Sequence, residues 1–393
     1  MTDVCVVGGG GHVGLPLALA FAGEGLSTVS YDINPGAVAQ ISSGVMPFWE
    51  DGAEAVLHKV LADGTFSITG DPAAVADADA VVVVVGTPVD EHLNPDPDVV
   101  RDAVRDLVPY LRAGQLLVLR STVFPGVTRQ VKEMLEKLRP GVLVAFCPER
   151  IAQGKAMTEL YTLPQIVGAD DEETATRAGQ LFGTLTKSLV PATPEEAELA
   201  KLFTNVWRYI KFAAANQFFM MANEAGVDFE RVRTTLAHDY PRALDMPGAG
   251  FAAGPCLFKD TMQLAAFDDN HFALGHSAML VNEGLPHYVV TRMADRFGLA
   301  DKTVGILGMS FKSGTDDIRS SLAFKLRKIL QFRAADVLAT DPRAEDPRLL
   351  PLEEVLERSD ILVIGAPHED YRNLTFRQPV VDLWNLRGQG VLL

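Results

Sequence analysis

The run VCVVGGGGHVGLPLALAFAGEG, residues 4–25, joins a strand-like apolar stretch to a glycine loop and then to a helix-like apolar stretch. Gly9, Gly11 and Gly14 have the G-x-G-x-x-G spacing. On its own that pattern is weak. Here Asp32 ends the next strand-like run, LSTVSYD, twenty-one residues after Gly11. That is where an acid meets a ribose 2′-hydroxyl in a dinucleotide fold. The first two glycines permit a tight turn and a close approach to pyrophosphate, and the third permits helix–strand packing. The helix N-terminus then faces the phosphates. His12 and Val13 lie within the same loop and belong to the expected cofactor contacts. Asp32 is followed by INPG, with no arginine to hold a 2′-phosphate, so the spacing predicts an NAD site.

Outward from this unit, apolar runs alternate with helical stretches. ADAVVVVVG (78–86), QLLVLRST (115–122), VLVAFCPE (142–149) and PQIVGA (164–169) continue the series. Their lack of strict alternation predicts parallel strands buried on both faces. The texture changes near Pro194. Residues 195–225 hold no proline or glycine and are rich in Ala, Leu, Phe, Asn and Lys, which predicts one long helix. A second helical region follows, interrupted by the Pro- and Gly-rich segment 240–256. The last ninety residues echo the start: ILVIGAPHED (361–370) matches VVVVVGTPVD (81–90), LATD matches VSYD, and KTVGILGMSFKSG takes the place of the glycine loop. Two parallel-sheet units can also share such strands by composition alone. The expected architecture is α/β, with two Rossmann-like doubly wound parallel-sheet domains joined by a central long-helix region. The expected boundaries are 1–193, 194–300 and 301–393.

At 393 residues the chain is too long for a single ordinary core. It is 48% hydrophobic and 22% charged, with no run of eighteen apolar residues and no basic, cleavable leader. Cytoplasmic residence without membrane insertion is the expectation. Three scattered cysteines, none in a CxxC pair, imply a reducing compartment and no structural zinc or other metal. A net charge of −16 argues against nucleic acid and anionic membranes as partners. An anionic ligand would need locally placed lysines, arginines and backbone amides.

In open parallel sheets ligands sit beyond the carboxyl ends of the strands. The candidates there are Gly86-Thr87-Pro88, Ser121-Thr122 and Glu149-Arg150. Thr122 could hydrogen-bond water, cofactor or substrate, or cap a helix beginning in FPGVTRQ; both roles stay open. In GFAAGPCLFKD (250–260), Cys256 is expected in the first turn of a helix, where the dipole and free amides favour a thiolate. Asp260 lies four residues on, placed to orient a water or a proton, and Lys259 adds a cation. The alternative is a buried thiol beside a solvated Lys-Asp pair. Cys5 and Cys147 lie inside strand runs and read as core. On the long helix Lys201 and Asn205 are spaced i, i+4, and with Thr204, Arg208 and Lys211 they form a polar stripe, either a lined cleft or a solvated face.

These segments together resemble the UDP-glucose/GDP-mannose dehydrogenase family, the UDP-sugar 6-dehydrogenases. The resemblance covers essentially the whole chain and rests on GGGGHVGLPLA, VGTPVD, RSTVFPGVT, CPERIAQGKAMTELYTLPQIVG, ELAKLFTNVWRYIKFAAANQ, PGAGFAAGPCLFKDT and GMSFKSGTDDIRSS. PERIAQGKA and FAAGPCLFKDT are most similar to the UDP-N-acetyl-D-mannosamine dehydrogenase branch. The resemblance implies an NAD domain, a central dimer platform giving a homodimer, and a C-terminal domain for the nucleotide of the sugar. It implies a four-electron oxidation of C6 from alcohol to carboxylate. By this likeness Cys256 is the nucleophile, Lys201 and Asn205 stabilise the oxyanion, and Asp260 and Thr122 hold the water. Glu149 is the acid near the thioester. Arg150, Arg242, Phe251, Gly254, Lys312 and Arg319 join Glu149, Lys201 and Asn205 in substrate binding. The competing expectations are a UDP-glucose 6-dehydrogenase, a two-electron hydroxyacid-type dehydrogenase, and a catalytically silent NAD-binding protein.

Overall fold

A computed structural model describes residues 2–87, 96, 98–391 and 393. Pro88, one of the strand-end candidates, lies outside the described residues. The chain divides into two compact units, Met1–Thr204 and Asn205–Leu393, each described by itself below.

The first unit is built on an eight-stranded sheet. Its strands are β1 (Thr2–Val7), β2 (Thr28–Tyr31), β3 (Phe66–Thr69), β4 (Ala78–Val83), β5 (Leu116–Leu119), β6 (Leu143–Phe146), β7 (Gln165–Gly168) and β8 (Leu189–Ala192). The spatial order is β3-β2-β1-β4-β5-β6-β7-β8. Successive residues point to opposite faces, and both faces are covered. Val4, Val6, Leu116 and Val118 join one core with the helix Gly14–Gly23, whereas Cys5, Val7, Leu117 and Leu119 join the other. This explains the unbroken apolar runs of the central strands: no position of β4, β5, β6 or β7 is exposed. Each such buried valine or leucine contributes about 1.5–3 kcal/mol.

The expectation of parallel strands throughout needs one correction. β7 runs antiparallel to β6, through the pair Phe146↔Gly168. The connection carries a helix of only seven residues, Ala156–Thr162, too short to return the chain to the start of the sheet. The chain therefore turns back at the carboxyl end of β6. That leaves Gln165, the first residue of β7, beside the ends of β5 and β6. Two strands were not anticipated, β3 and β8. β8 is an edge strand and carries Pro191, a residue an edge tolerates.

The long helix runs from Pro194 to Glu224 as the sequence predicts, and the chain leaves it through Gly226 at φ 69°. In the second unit β9 (Thr303–Leu307), β10 (Asp336–Thr340), β11 (Ile361–Ile364) and β12 (Val380–Val381) form a parallel sheet in the order β10-β9-β11-β12. The order β10-β9-β11 repeats β2-β1-β4, so the echo in sequence is an echo in topology. One face of this sheet packs on Ala215 and Phe219 of the long helix and on Leu285, Val289 and Met293 of the helix Ala273–Phe297. Leu307, Leu338, Leu362 and Ile364 line the opposite face.

Candidate active site

The first unit carries a cradle for a dinucleotide. A Cβ on Gly9 would lie 2.3 Å from Ser30 Oγ, and one on Gly14 would lie 2.3 Å from the Gly8 carbonyl oxygen. Only glycine fits at either position. The Gly10 N–H donates to Asp32 Oδ2 at 2.8 Å and the Asn34 N–H donates to Oδ1 at 2.9 Å. The carboxylate is thereby fixed at the end of β2, with one donor on each oxygen and lone pairs left for ribose hydroxyls. His12 stacks on Phe48 with centroids 4.1 Å apart, and Val13 occupies the position before the helix Gly14–Gly23. Thr87 is half-buried past the end of β4. A glycine cradle with an acid locked beside it fits NAD.

Thr122 does not cap a helix. The helix after it begins at Val127, and its N-terminus is capped from the long helix by Glu198. Glu198 accepts the Gly126 N–H at 2.6 Å, the Thr128 N–H at 2.8 Å and the Thr128 hydroxyl at 2.6 Å. Burial pushes the Glu198 carboxyl up, against the pull of these donors. A carboxylate distant in sequence therefore performs the capping for which Thr122 was one candidate, and Thr122 is half-buried in the segment after β5.

At the carboxyl ends of β5, β6 and β7 the sequence reading missed Arg120, whose side chain is 1% exposed. Its Nη1 donates to the Cys147 carbonyl at 3.0 Å and to Gln165 Oε1 at 2.9 Å, and its Nη2 donates to Glu149 Oε2. Glu149 Oε1 accepts the N–H groups of Arg150 at 2.6 Å and Ile151 at 2.8 Å. Arg150 donates to the Pro164 carbonyl, and burial lowers its guanidinium below the usual value. The loop that follows is held by carboxylates too. Glu159 accepts the Ala152 N–H at 2.6 Å, and buried Glu50 accepts those of Gly154 and Ala156, each at 2.7 Å.

In the second unit Cys256 is exposed, whereas Cys5 and Cys147 are buried and burial pushes both thiols up to about 12. Cys256 occupies the N-cap position of the helix Leu257–Phe267, one residue ahead of the expected first turn. Its carbonyl accepts the Asp260 N–H at 2.9 Å. The buried-thiol alternative is excluded by this exposure. Asp260 is fully buried: Oδ2 accepts the Asn205 Nδ2 at 2.6 Å, and Lys259 Nζ lies 3.1 Å from Oδ1. Asn205 and Asp260 are thus brought together across fifty-five residues of chain. Lys201, one turn before Asn205 on the long helix, is buried. The rest of the stripe diverges: Arg208 is exposed and Lys211 pairs with Asp245 at 3.1 Å.

The loop ahead of Cys256 is clamped on both sides. Asn216 exchanges two hydrogen bonds with the backbone of Gly250, at 2.9 and 3.0 Å, and donates to Asn282. A Cβ on Gly250 (φ 149°) would meet the Trp384 ring at 2.2 Å, and one on Gly254 (φ 104°) the Phe311 ring at 2.5 Å. The Gly254 N–H also donates to the Ser320 carbonyl at 3.2 Å. The Phe251 ring is buried edge-on against Trp384. Lys312 lies over the ring of Phe311, and exposed Arg319 forks Asp317 at 2.9 and 2.6 Å. Arg242 is exposed on a short turn and lies over Tyr240. Asn216 and Asn282 gave no signal in sequence beyond being polar residues in apolar helices. Among the described residues no group of three His, Cys, Asp or Glu side chains could hold a metal, and no helix is long and apolar enough to cross a membrane.

Comparison with known proteins covers the chain in three segments. Residues 2–186 match the NAD binding domain of the UDP-glucose/GDP-mannose dehydrogenase family, 195–283 its central domain and 305–387 its UDP binding domain. A UDP-N-acetyl-D-mannosamine dehydrogenase from Pyrococcus horikoshii is 30% identical over 379 residues, covering 93% of this chain and 90% of the relative. An NDP-N-acetyl-D-galactosaminuronic acid dehydrogenase from Ralstonia nicotianae is 29% identical, covering 93% and 90%. The solved structure of a UDP-glucose dehydrogenase from Pyrobaculum islandicum superposes with a TM-score of 0.90 at 30% identity, covering 98% of this chain and 95% of that one. NAD is the cofactor for which the glycine cradle and Asp32 are built. From the cradle, the two sheets and these matches, the chain belongs to the UDP-glucose/GDP-mannose dehydrogenase family.

Proposed function

We propose that this protein oxidises C6 of a UDP-N-acetylhexosamine, with UDP-N-acetyl-mannosamine as the first candidate, from alcohol to carboxylate. The observation that carries the proposal is the exposed Cys256 at a helix N-terminus, four residues before a buried Asp260 bonded to Asn205. Bound NAD supplies the oxidant, one equivalent for each two-electron step. An aldehyde has no leaving hydride that gives an acid until a nucleophile has added to it. Cys256 Sγ bonds to C6 of the aldehyde, and the carbonyl oxygen takes up a proton to give a thiohemiacetal. Loss of a hydride from C6 and of the hydroxyl proton leaves a thioester. Water then adds to C6, the C–S bond breaks, and the carboxylate and the free thiol are released.

Lys201 and Asn205 donate to the oxygen on C6 as it gains charge, where a preorganised donor is worth about 3–4 kcal/mol. Asp260 and Thr122 hold the water. Asn205, fixed by its 2.6 Å bond to Asp260, presents its amide without reorganisation. Lys312 and Arg319 supply positive charge for the nucleotide, which a chain of net charge −16 must provide locally. The 2-acetamido preference is supported by the mannosamine and galactosaminuronic relatives, and by PERIAQGKA and FAAGPC. UDP-glucose is the competing substrate, since a UDP-glucose dehydrogenase shares this fold at TM-score 0.90.

NAD reduction is to be measured with UDP-N-acetyl-mannosamine, UDP-N-acetyl-glucosamine, UDP-glucose and GDP-mannose, together with the ratio of NADH formed to sugar consumed. The expected outcome is two NADH per sugar, with highest kcat/KM on an N-acetylhexosamine. A ratio of one would indicate a hydroxyacid-type two-electron oxidation. A higher kcat/KM on UDP-glucose would overturn the substrate assignment.

A further inference from the structure

We propose that Asn216 is a positioning residue for the cysteine chemistry: together with Asn205 it makes the long helix a two-point anchor for the segment that carries Cys256. This rests on the dehydrogenase reading above. Residues 249–256 form neither strand nor helix, yet Ala249, Gly250, Phe251, Ala252 and Gly254 are buried. A buried irregular segment has to find partners for its backbone N–H and C=O groups away from water. Asn216, itself fully buried, supplies both for Gly250. Its Oδ1 accepts the Gly250 N–H at 2.9 Å, and its Nδ2 donates to the Gly250 carbonyl at 3.0 Å. The side-chain amide takes the place of a neighbouring strand.

The orientation of that amide is fixed from behind. Its other Nδ2 hydrogen goes to Asn282 Oδ1 at 2.9 Å, and Asn282 Nδ2 donates to the Tyr209 carbonyl at 3.1 Å. Turning either amide over would set nitrogen against nitrogen and oxygen against oxygen at fully buried positions. Asn205 and Asn216 lie eleven residues apart on the long helix, three turns to within about 20°, so they leave the same face. Asn205 holds Asp260, four residues after Cys256, and Asn216 holds Gly250, six residues before it. The cysteine is strung between two fixings about 16 Å apart along one rigid element. Sγ has to reach C6 of the aldehyde at bonding distance, and a displacement of about 1 Å from a change away from the chemistry can cost about 100-fold.

The test uses the full chain with the best nucleotide sugar from the screen, and semicarbazide to trap free aldehyde. The first oxidation passes a hydride from C6 to NAD and needs no thiol; the second needs Sγ to add first. A displaced thiol therefore changes the ratio of the two steps, whereas a smaller folded fraction slows both alike. Asn216→Leu keeps the bulk and removes all three hydrogen bonds. It is expected to lower kcat by about tenfold or more with KM for NAD unchanged, to bring NADH per sugar from two toward one, and to yield the semicarbazone. Asn282→Ala leaves the Gly250 bonds but unlocks the amide, so a smaller shift in the same direction is expected; it decides the matter if Asn216→Leu does not fold. Leu326→Ala truncates a core residue of the same unit and is the control: it should melt lower and still give two NADH per sugar. Alkylation of Cys256 by iodoacetamide, read by intact-protein mass spectrometry, needs no substrate, and the other two cysteines are buried. It should slow about threefold or more in Asn216→Leu at neutral pH, because the thiol no longer rests against the free amides of the helix start.

Two NADH per sugar and no semicarbazone from the Asn216 and Asn282 variants would overturn the proposal. So would alkylation at the wild-type rate in Asn216→Leu. If the wild type reduces no NAD with any of the four sugars, the dehydrogenase reading fails, while the alkylation rates still decide whether Asn216 sets the place of the thiol.

Discussion

At the level of single residues, the proposed chemistry turns on what a thiol can do that a hydroxyl cannot. Cys256 sits at a helix N-terminus, where unpaired amides stabilise an anion. In the proposed mechanism Cys256→Ala removes the atom that bonds to C6, so the second oxidation is expected to stop while NAD and sugar still bind. Cys256→Ser keeps an oxygen, but one far less ionised near neutral pH and a poorer leaving group from an ester. Its turnover is expected to fall by at least about 100-fold, and covalent adduct should be visible by intact-protein mass spectrometry. Two NADH per sugar from Cys256→Ala at near the wild-type rate would refute the covalent route. The placement of Cys256 at a helix start, four residues before Asp260, was legible in sequence because a short loop and a helix start set that spacing locally. Arg120 was not, because an arginine closing an apolar strand reads as a strand-end charge. Only the reversal of β7, which brings Gln165 alongside, shows where that charge goes.

Between elements, the contacts that sequence periodicity cannot show are those made by carboxylates far away in the chain. Glu198 is 1% exposed and accepts two N–H groups and a hydroxyl at the start of the helix Val127–Leu138. It thereby ties the long helix to the first sheet's helical layer. Glu198→Ala leaves the Gly126 and Thr128 N–H groups without their acceptor, at a cost of about 1–3 kcal/mol. A lowered melting temperature is expected, with KM for NAD little changed, because the cap is not part of the glycine cradle. An unchanged melting temperature would show that water replaces the carboxylate at no cost. The long helix itself was plain from its length and its lack of glycine and proline. The strands were plain from their apolar runs. The direction of β7 was not, since a four-residue strand reads the same either way and only its connection decides.

Over the whole chain, the repeat in the sequence becomes two sheets whose first strands pair in parallel and in related order, and whose acids have different fates. Asp32 holds two backbone donors and stands half-buried at a glycine cradle. Asp341 ends β10 in the equivalent place and accepts the N–H groups of Met309 and Ser310 at 2.7 and 2.9 Å. It is also closed off by buried His368, 3.2 Å away. Burial pushes its carboxyl up, but the His368 contact and the amides outweigh this and hold it below the usual range. The likeness of LATD to VSYD was legible; the closure by a histidine twenty-seven residues on was not. The expectation of a dimer is argued from a different feature of the second unit. Trp207 is 57% exposed, Phe218 49% and Met221 60%, whereas Phe219 is core. At about 100° per residue the three exposed side chains fall within an arc of roughly 60° on the helix. A groove beside them, lined by Met220, Leu280 and Tyr288, extends the apolar face onto the helix Ala273–Phe297. A second copy of the chain is the expected cover, and a two-fold interface counts each substitution twice. Trp207→Glu therefore removes about 3–6 kcal/mol of association, taking about 1.5–3 kcal/mol per buried side chain. Sedimentation at micromolar concentration should give a dimer for the wild type and a monomer for Trp207→Glu, and a fully active wild-type monomer would defeat the expectation.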